Sequence, residues 1–404
     1  MMTQKVTPIL LKGMSIYTET NKIETGYIKI KDQKIVEIGP QENLKQDNNV
    51  QERFTIIDLQ ANYSAIPGFI DIHIHGANGA DAMDATPEAL ATMAKALVKE
   101  GTTSFLATTM TQETAAIEQA LTNAGNYITQ PQPQGQSEII GIHLEGPFVN
   151  KKRAGAQPLN YIIDPDKDKF TKWNKLANGK IKLVTLASER PGGLELVRYL
   201  TQNGIVASLG HTDATYDQVD EAIQTGAKQV THLYNQMREL HHREPGVVGA
   251  AYLREELKTE IIVDGIHSRP EMVKLAYKQK GKQGFILITD AMRAKGLPDG
   301  DYELGGQPVA VKAGKAVLAD GTIAGSVLKM NQAIKNMLDF TGCSFPEAIE
   351  MAAMNPAKQL NIADRKGSLA VGKDADIVIL DENLDVFMTI CRGKLAYQKG
   401  GETA

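Results

Sequence analysis

The feature that most constrains this chain is a series of eight short, almost uninterrupted apolar segments between Ile66 and Asp290. They read FIDIHIH (69–75), TTSFLATT (102–109), EIIGIHLE (138–145), KIKLVTLA (180–187), GIVASLGH (204–211), KQVTHLY (228–234), TEIIVD (259–264) and GFILITD (284–290). Strands apolar on both faces belong in a parallel sheet buried on both sides. The stretches between them carry helix punctuation. Thr86-Pro87-Glu88 is an N-cap with proline in the first turn, and Gly101 closes that helix. Gly204 and Gly226 end helices that start near Gly193 and Tyr216, and Arg269-Pro270 opens another. Eight strand–helix units predict an α/β fold closed as a (β/α)8 TIM-like barrel, which usually needs about 250 residues. An open doubly wound sheet is the competitor, but no GxGxxG follows the first strand.

The two ends of the chain read differently. YIKIKDQKIVEIG (27–39) near the start, and GSLAVGKDADIVIL (367–380) with FMTICRGKLAYQ (387–398) near the end, are short alternating strands. Neither end can build a core alone. The expectation is one small β-sandwich domain made from residues 1–62 and 363–404, flanking a barrel over 63–362. A Gly-rich β-like insert (302–323) and two helices, roughly 326–340 and 345–360, complete the barrel part.

Several partner classes are disfavoured. The start MMTQKVTPILLKG lacks the regions of a signal peptide, and no apolar run approaches the roughly 18 residues of a membrane span. Two cysteines, Cys343 and Cys391, cannot make a disulfide framework or zinc ribbon and fit a reducing cytosol. A net charge of −4 and 5% aromatic residues give no bulk attraction for nucleic acid or anionic membrane. The chain therefore reads as cytoplasmic, and any anionic small molecule must be caught by a local cluster.

The eight histidines supply the chemistry. His73 and His75 end the first strand on one face. His143 and Glu145 end the third with the same spacing, His211 and His232 end the fifth and sixth, and Asp264 and Asp290 close the last two. In a barrel these termini meet at one mouth. A lone strand-end histidine is more often a hydrogen-bonded structural residue than a ligand. So many buried polar groups together call for a compensating divalent cation, and imidazole plus carboxylate suits zinc first, with iron or manganese as alternatives. No GxSxG or Walker loop offers a different chemistry.

PGFIDIHIHG (67–76) resembles the first-strand motif of the amidohydrolase superfamily. HLEGPF (143–148), SLGHTDA (208–214), THLYNQM (231–237), REPGVVGA (243–250), VDGIH (263–267), ITDAM (288–292) and IAGS (323–326) narrow the resemblance. They are similar to the branch that deacetylates N-acetylglucosamine 6-phosphate, and the similarity runs on to the tail at 355–380. It implies hydrolysis of that sugar phosphate to glucosamine 6-phosphate and acetate, in amino-sugar catabolism. Related hydantoinases use a carbamylated lysine as bridging ligand, where this chain offers Glu145.

By the same resemblance, Glu145, His211 and His232 hold the main metal, and His73 and His75 a second, with Glu145 as bridge; one or two ions per subunit are expected. Asp290 matches the catalytic acid/base. Arg243 and His267 match the phosphate contacts, with Arg243 reaching the neighbouring subunit's site in a homodimer. Asn235 and Gln236 add donors, Ala156 and Gln157 face the substrate, and Ile323, Ala324 and Gly325 bring the backbone close to the sugar. Some relatives carry histidine at Gln157; an amide donates a hydrogen bond but cannot titrate, so this residue is read as orienting the substrate. His241 and His242 are expected to face solvent or an interface, and His143 to lie behind the metal ligands. The alternatives are another metal-dependent cyclic amidohydrolase or an adenine deaminase-like enzyme, which have no phosphate to occupy Arg243 and His267. An inactive scaffold is disfavoured because Asp290 and the histidines are all kept.

Overall fold

The apolar segments form the strands of a barrel. The structure, a computed structural model, describes residues 7–46 and 54–401; residues 1–6, 47–53 and 402–404 of the expected terminal domain, and the first part of the start segment, lie outside the described residues. The barrel strands are Phe69–Ile74, Thr102–Thr108, Glu138–Glu145, Ile181–Leu186, Val206–Leu209, Gln229–Val230, Lys258–Ile262 and Phe285–Ile288, each parallel to its neighbours in chain order. Every side chain of the first, second and eighth is buried, as continuous apolar runs demand. Helices Pro87–Leu97, Thr114–Thr129, Lys167–Leu176, Gly193–Gln202, Tyr216–Thr225, Gly246–Leu253, Pro270–Gly284 and Met330–Thr341 follow the strands in turn. The Thr86 hydroxyl accepts from Ala89 N at 3.2 Å, and Gly101 ends that turn at φ 85°. Their inner faces join one core around Phe69, Phe105, Phe148, Trp173 and Phe285.

The first and eighth strands close the barrel by a seam instead of a regular ladder. Asp290 N donates to His73 O at 2.8 Å and His75 N to Ala291 O at 2.9 Å. Asp71, fully buried, accepts from the backbone N–H and the hydroxyl of Thr289 across the same seam.

The sixth strand is shorter than its apolar run suggests. It stops at Val230 because the chain turns sharply at His232 (φ 32°) and Tyr234 (φ 76°), conformations outside the extended region. The expected helix at 345–360 runs without interruption over 345–359, with a π-helical turn Glu350–Met354 between Phe345–Ile349 and Asn355–Gln359. The insert forms a three-stranded antiparallel sheet, Gly300–Leu304, Gln307–Lys312 and Lys315–Val317.

Both ends of the chain share one eight-stranded sheet. Its order is Lys394–Gln398, Val386–Cys391, Ile377–Leu380, Ser64–Pro67, Ile9–Tyr17, Lys22–Lys31 and Lys34–Pro40, with Thr55–Asp58 also beside Ile9–Tyr17. The strand Ser64–Pro67 belongs to this sheet, and the next strand, Phe69–Ile74, to the barrel. Ile9, Leu11, Met14, Ile28, Ile377, Ile379 and Ile390 form its own core. Lys366 fastens the tail to the barrel: its ammonium lies 2.8 Å from Glu138 at the start of the third strand, 3.2 Å from Asp374, and against Asp376. Among the described residues no helix is long and apolar enough to cross a membrane.

Candidate metal and active site

Where the barrel strands end, the chain leaves the extended conformation and turns side chains inward. His211 (φ 48°), His232 (φ 32°) and Asp290 (φ 47°) all adopt left-handed backbone geometry, which is uncommon for residues with a side chain and clusters at functional sites. With His73, His75 and Glu145 they form one buried constellation.

Glu145 is its centre. Its Oε1 lies 3.3 Å from His73 Nε2, 3.5 Å from His211 Nε2 and 3.2 Å from His232 Nε2, while Oε2 is 3.3 Å from His75 Nε2. Four imidazoles therefore present the same ring atom to one carboxylate. Two groups of three, His73 with His75 and Glu145, and Glu145 with His211 and His232, could each hold a metal ion. The spacing fits: ligand atoms bound at about 2.1 Å in a tetrahedral site stand about 3.4 Å apart. His73 Nε2, fully buried, makes no hydrogen bond among the described residues, and the Nε2 atoms of His211 and His232 face each other at 3.1 Å. Donors so placed suit a shared cation.

Asp290 Oδ1 stands 3.2 Å from His75 Nε2 and 3.4 Å from His73 Nε2. Burial pushes its carboxyl up, but the two rings outweigh this and hold it below the usual carboxylate range. Glu145 is likewise held low against burial, by His73 first and then by hydrogen bonds from the other rings. His73 and His75 move the opposite way: burial pulls them down, and the surrounding carboxylates raise them well above the ordinary imidazole value. The cluster as a whole favours positive charge. His143 stays neutral; burial and the adjacent His73 push it well below its ordinary value, and its ring is held by Thr185 Oγ1 at 2.8 Å. It packs edge-on to His73 and supports that ring from behind.

The constellation opens into a cavity of about 250 Å³. His75, Glu145, Ala156, Gln157, His211, His232, Asn235, Gln236, His267, Asp290, Ile323 and Gly325 line it, so most of the anticipated residues meet there. Gln157 is held at both ends: Thr111 N donates to its Oε1 at 3.0 Å, and its Nε2 donates to Glu145 Oε2 at 3.1 Å. Gly325 sits at φ 65°, and a Cβ there would come within 3.1 Å of Asp290 O, so both the backbone conformation and the close approach favour glycine. His267 Nδ1 is 2.7 Å from Asp264, whose carboxylate also takes the His267 and Ile266 N–H groups; burial would raise this acid, yet the histidine holds it low.

Two anticipated substrate contacts do not line the cavity. Ala324 is buried in an apolar cluster with Met110 and Met292, facing away from the cavity that Ile323 and Gly325 line. Arg243 is exposed on the loop beyond the sixth strand, with Nη1 2.8 Å from His242 Nε2, outside the cavity of its own chain. His241 and His242 are exposed too. Conversely, Met110, Leu304 and Thr322 line the cavity, and Leu304 arrives on the insert, whose Gln307 side chain is tied to Ala156 O at 2.7 Å. A larger cavity of about 520 Å³, between residues 17–22 and 346–358, contains no histidine.

An α/β barrel with histidines and a shared carboxylate at its strand ends is the architecture of metal-dependent hydrolases, and the chain belongs to the amidohydrolase family, whose model matches residues 64–396. Its relatives narrow this. The N-acetylglucosamine-6-phosphate deacetylase of Bacillus subtilis (strain 168) is 49% identical over 390 residues, covering 96% of this chain and 97% of that protein. The N-acetylgalactosamine-6-phosphate deacetylase of Escherichia coli O157:H7 is 37% identical, over 82% of this chain and 87% of its own length. Among solved structures, an N-acetyl-D-glucosamine-6-phosphate deacetylase mutant from Mycobacterium smegmatis, in complex with N-acetyl-D-glucosamine-6-phosphate, superposes with a TM-score of 0.89 at 31% identity, covering 97% of this chain and 100% of that one.

Proposed function

We propose that the chain hydrolyses N-acetyl-D-glucosamine 6-phosphate to D-glucosamine 6-phosphate and acetate, in the breakdown and recycling of amino sugars. The observation that carries this reading is the Glu145-centred cluster with Asp290 beside it, in a chain 49% identical to a deacetylase over nearly its full length. Glu145, His211 and His232 would hold one divalent ion, and His73 and His75 with Glu145 a second. The donors are nitrogen and oxygen without sulfur, which suits Zn²⁺ first and Fe²⁺ or Mn²⁺ as alternatives. A cation held there would supply Lewis acidity, lowering the pKa of water so that it can lose a proton and attack an amide near neutral pH, and polarising the acetyl carbonyl.

The protein's own groups do the rest. Asp290, kept ionised by His73 and His75, takes the proton of the attacking water and delivers it to the departing amine nitrogen, which would otherwise leave as an unstable anion. Gln157 has one amide hydrogen committed to Glu145 and can direct the other to the sugar. Asn235, Gln236, Ala156, Ile323 and Gly325 shape the sugar's bed. His267, anchored by Asp264, takes the phosphate from one side. Arg243 lies outside the cavity of its own chain, which supports its reaching the phosphate in a second copy, so the working form is a homodimer. The compartment is the cytoplasm, where sugar phosphates and reduced cysteines are expected. Small-domain residues 1–62 and 363–404 would serve the barrel as a base, without contributing to the site.

Acetate release from N-acetylglucosamine 6-phosphate tests the reading, run beside N-acetylgalactosamine 6-phosphate, a hydantoin and adenine. Rapid turnover of the first and none of the last two is expected; preference for the hydantoin or the nucleobase overturns it.

A further inference from the structure

Glu260 sits in the middle of the seventh barrel strand, between Thr259 and Ile261, and all three are fully buried. It does not line the cavity and cannot touch substrate. Its Oε2 accepts from His73 Nδ1 at 3.0 Å and from His232 N at 3.3 Å, and its Oε1 accepts from Gln229 Nε2 at 2.6 Å. A carboxylate only accepts, so a neutral His73 ring carries its proton on Nδ1 and turns the Nε2 lone pair toward Glu145 and Asp290.

The other three rings lack this support. His211 Nδ1 has the neutral Arg153 carbonyl at 2.8 Å, while the Nδ1 atoms of His75 and His232 have no hydrogen-bond partner among the described residues. Among the described residues, His73 is the only one of the four whose Nδ1 hydrogen-bonds a carboxylate; Asp81 acts on His75 through charge without such a bond. The Glu260 charge is not needed to satisfy the local hydrogen bonds. Gln229 Oε1 has no partner, so with its amide turned over it could accept from a glutamine at position 260, which would still accept from His73 and His232. A buried charge kept where a neutral group would fit must be compensated by a cation nearby.

We propose that Glu260 is the positioning residue for His73: it fixes the ring's proton on Nδ1, aims Nε2 at the position formed by His73, His75 and Glu145, and adds the negative charge that retains a divalent cation there. The proposal rests on the two-ion reading above. Carboxylates behind ligating histidines commonly strengthen metal binding by about 10- to 100-fold.

The test is Glu260→Gln in the full chain, stripped with chelator and titrated with Zn²⁺ by calorimetry, with metal content measured after dialysis. His73→Ala, titrated alongside, marks which binding event belongs to the His73 position. The wild type should take up two ions. Glu260→Gln should weaken the His73 event by about 10- to 100-fold and leave the other at its wild-type affinity. The melting temperature of the stripped protein should be unchanged, which separates charge from mere packing. Two events of wild-type affinity, or equal weakening of both, overturn the proposal. A wild type with a single event overturns the two-ion reading, and the proposal with it, before any variant is compared. Should Glu260→Gln not fold, Glu260→Asp, which withdraws the charge from Nδ1 by one methylene, must show the same selective loss, and its absence refutes the role.

Discussion

Replacing Gln157 with leucine separates a residue that only touches substrate from one that also holds the site together. The side chain is 3% exposed and is used at both ends, by Thr111 N at 3.0 Å and Glu145 Oε2 at 3.1 Å. Leucine fills a similar volume and can make neither bond. Losing the bond to a carboxylate costs about 1.5–3 kcal/mol, and leaving the buried Thr111 N–H unpaired costs about 1–3 kcal/mol more. Burying the added apolar surface returns about 1–2 kcal/mol. The net expectation is a destabilisation of about 1.5–4 kcal/mol in the chelator-stripped protein, read from the midpoint and slope of urea unfolding. Gln157→Glu should be worse: it sets a second carboxylate oxygen at the present 3.1 Å from Glu145, a repulsion of about 5 kcal/mol at an effective dielectric of about 20. Leucine should also lower kcat, because Glu145 loses the donor that fixes its rotamer. Unfolding within about 0.5 kcal/mol of wild type, with only KM raised, would refute this reasoning and leave Gln157 as a substrate contact alone.

Three further outcomes follow from the site and its supports. Asp290→Asn should keep its metal content while losing about 10²- to 10⁴-fold in kcat, measured by acetate release; near-wild-type turnover would remove it as acid/base. Arg243→Ala should raise KM strongly for N-acetylglucosamine 6-phosphate and little for the unphosphorylated sugar, and equal effects on both would sink the phosphate contact. Lys366→Met removes the ammonium shared by Glu138, Asp374 and Asp376, leaving Arg365 on the first two, and should destabilise the protein by about 3–5 kcal/mol at neutral pH. Burial would raise Glu138 and Asp374, but Lys366 and Arg365 hold both below their ordinary values. Their contribution is thus present above the unfolded carboxylate pKa near 4 and is lost as pH falls through the lower folded values, so the gap between Lys366→Met and wild type should shrink in acid.

Much of the architecture is legible from residue pattern because the barrel strands are buried on both faces, and such runs stand out. The sixth is overread because its apolar character continues past Val230, while the backbone turns at His232 to aim that ring. The metal-site histidines are legible because they end strands. Glu260 and Asp71 are not, since each lies inside a run that pattern assigns to the core. A signal does exist: a carboxylate in the middle of a doubly buried strand is so costly that it must answer a specific partner. Met110 and Leu304 reach the cavity from a strand exit and an insert, and only the three-dimensional path of those loops brings them there.

The sheet built from both ends of the chain also has a history in time. Ser64–Pro67 pairs on one side with Ile9–Tyr17 and on the other with Ile377–Leu380. During synthesis at about 5–20 residues per second, that second partner emerges roughly 15–60 s after the first. For that interval the early strands present an unpaired edge of the kind that recruits other chains. Nascent molecules halted before Ile377 should therefore be the aggregation-prone population, and overproduction faster than chaperones can shield that edge should cost yield without any defect in the finished enzyme.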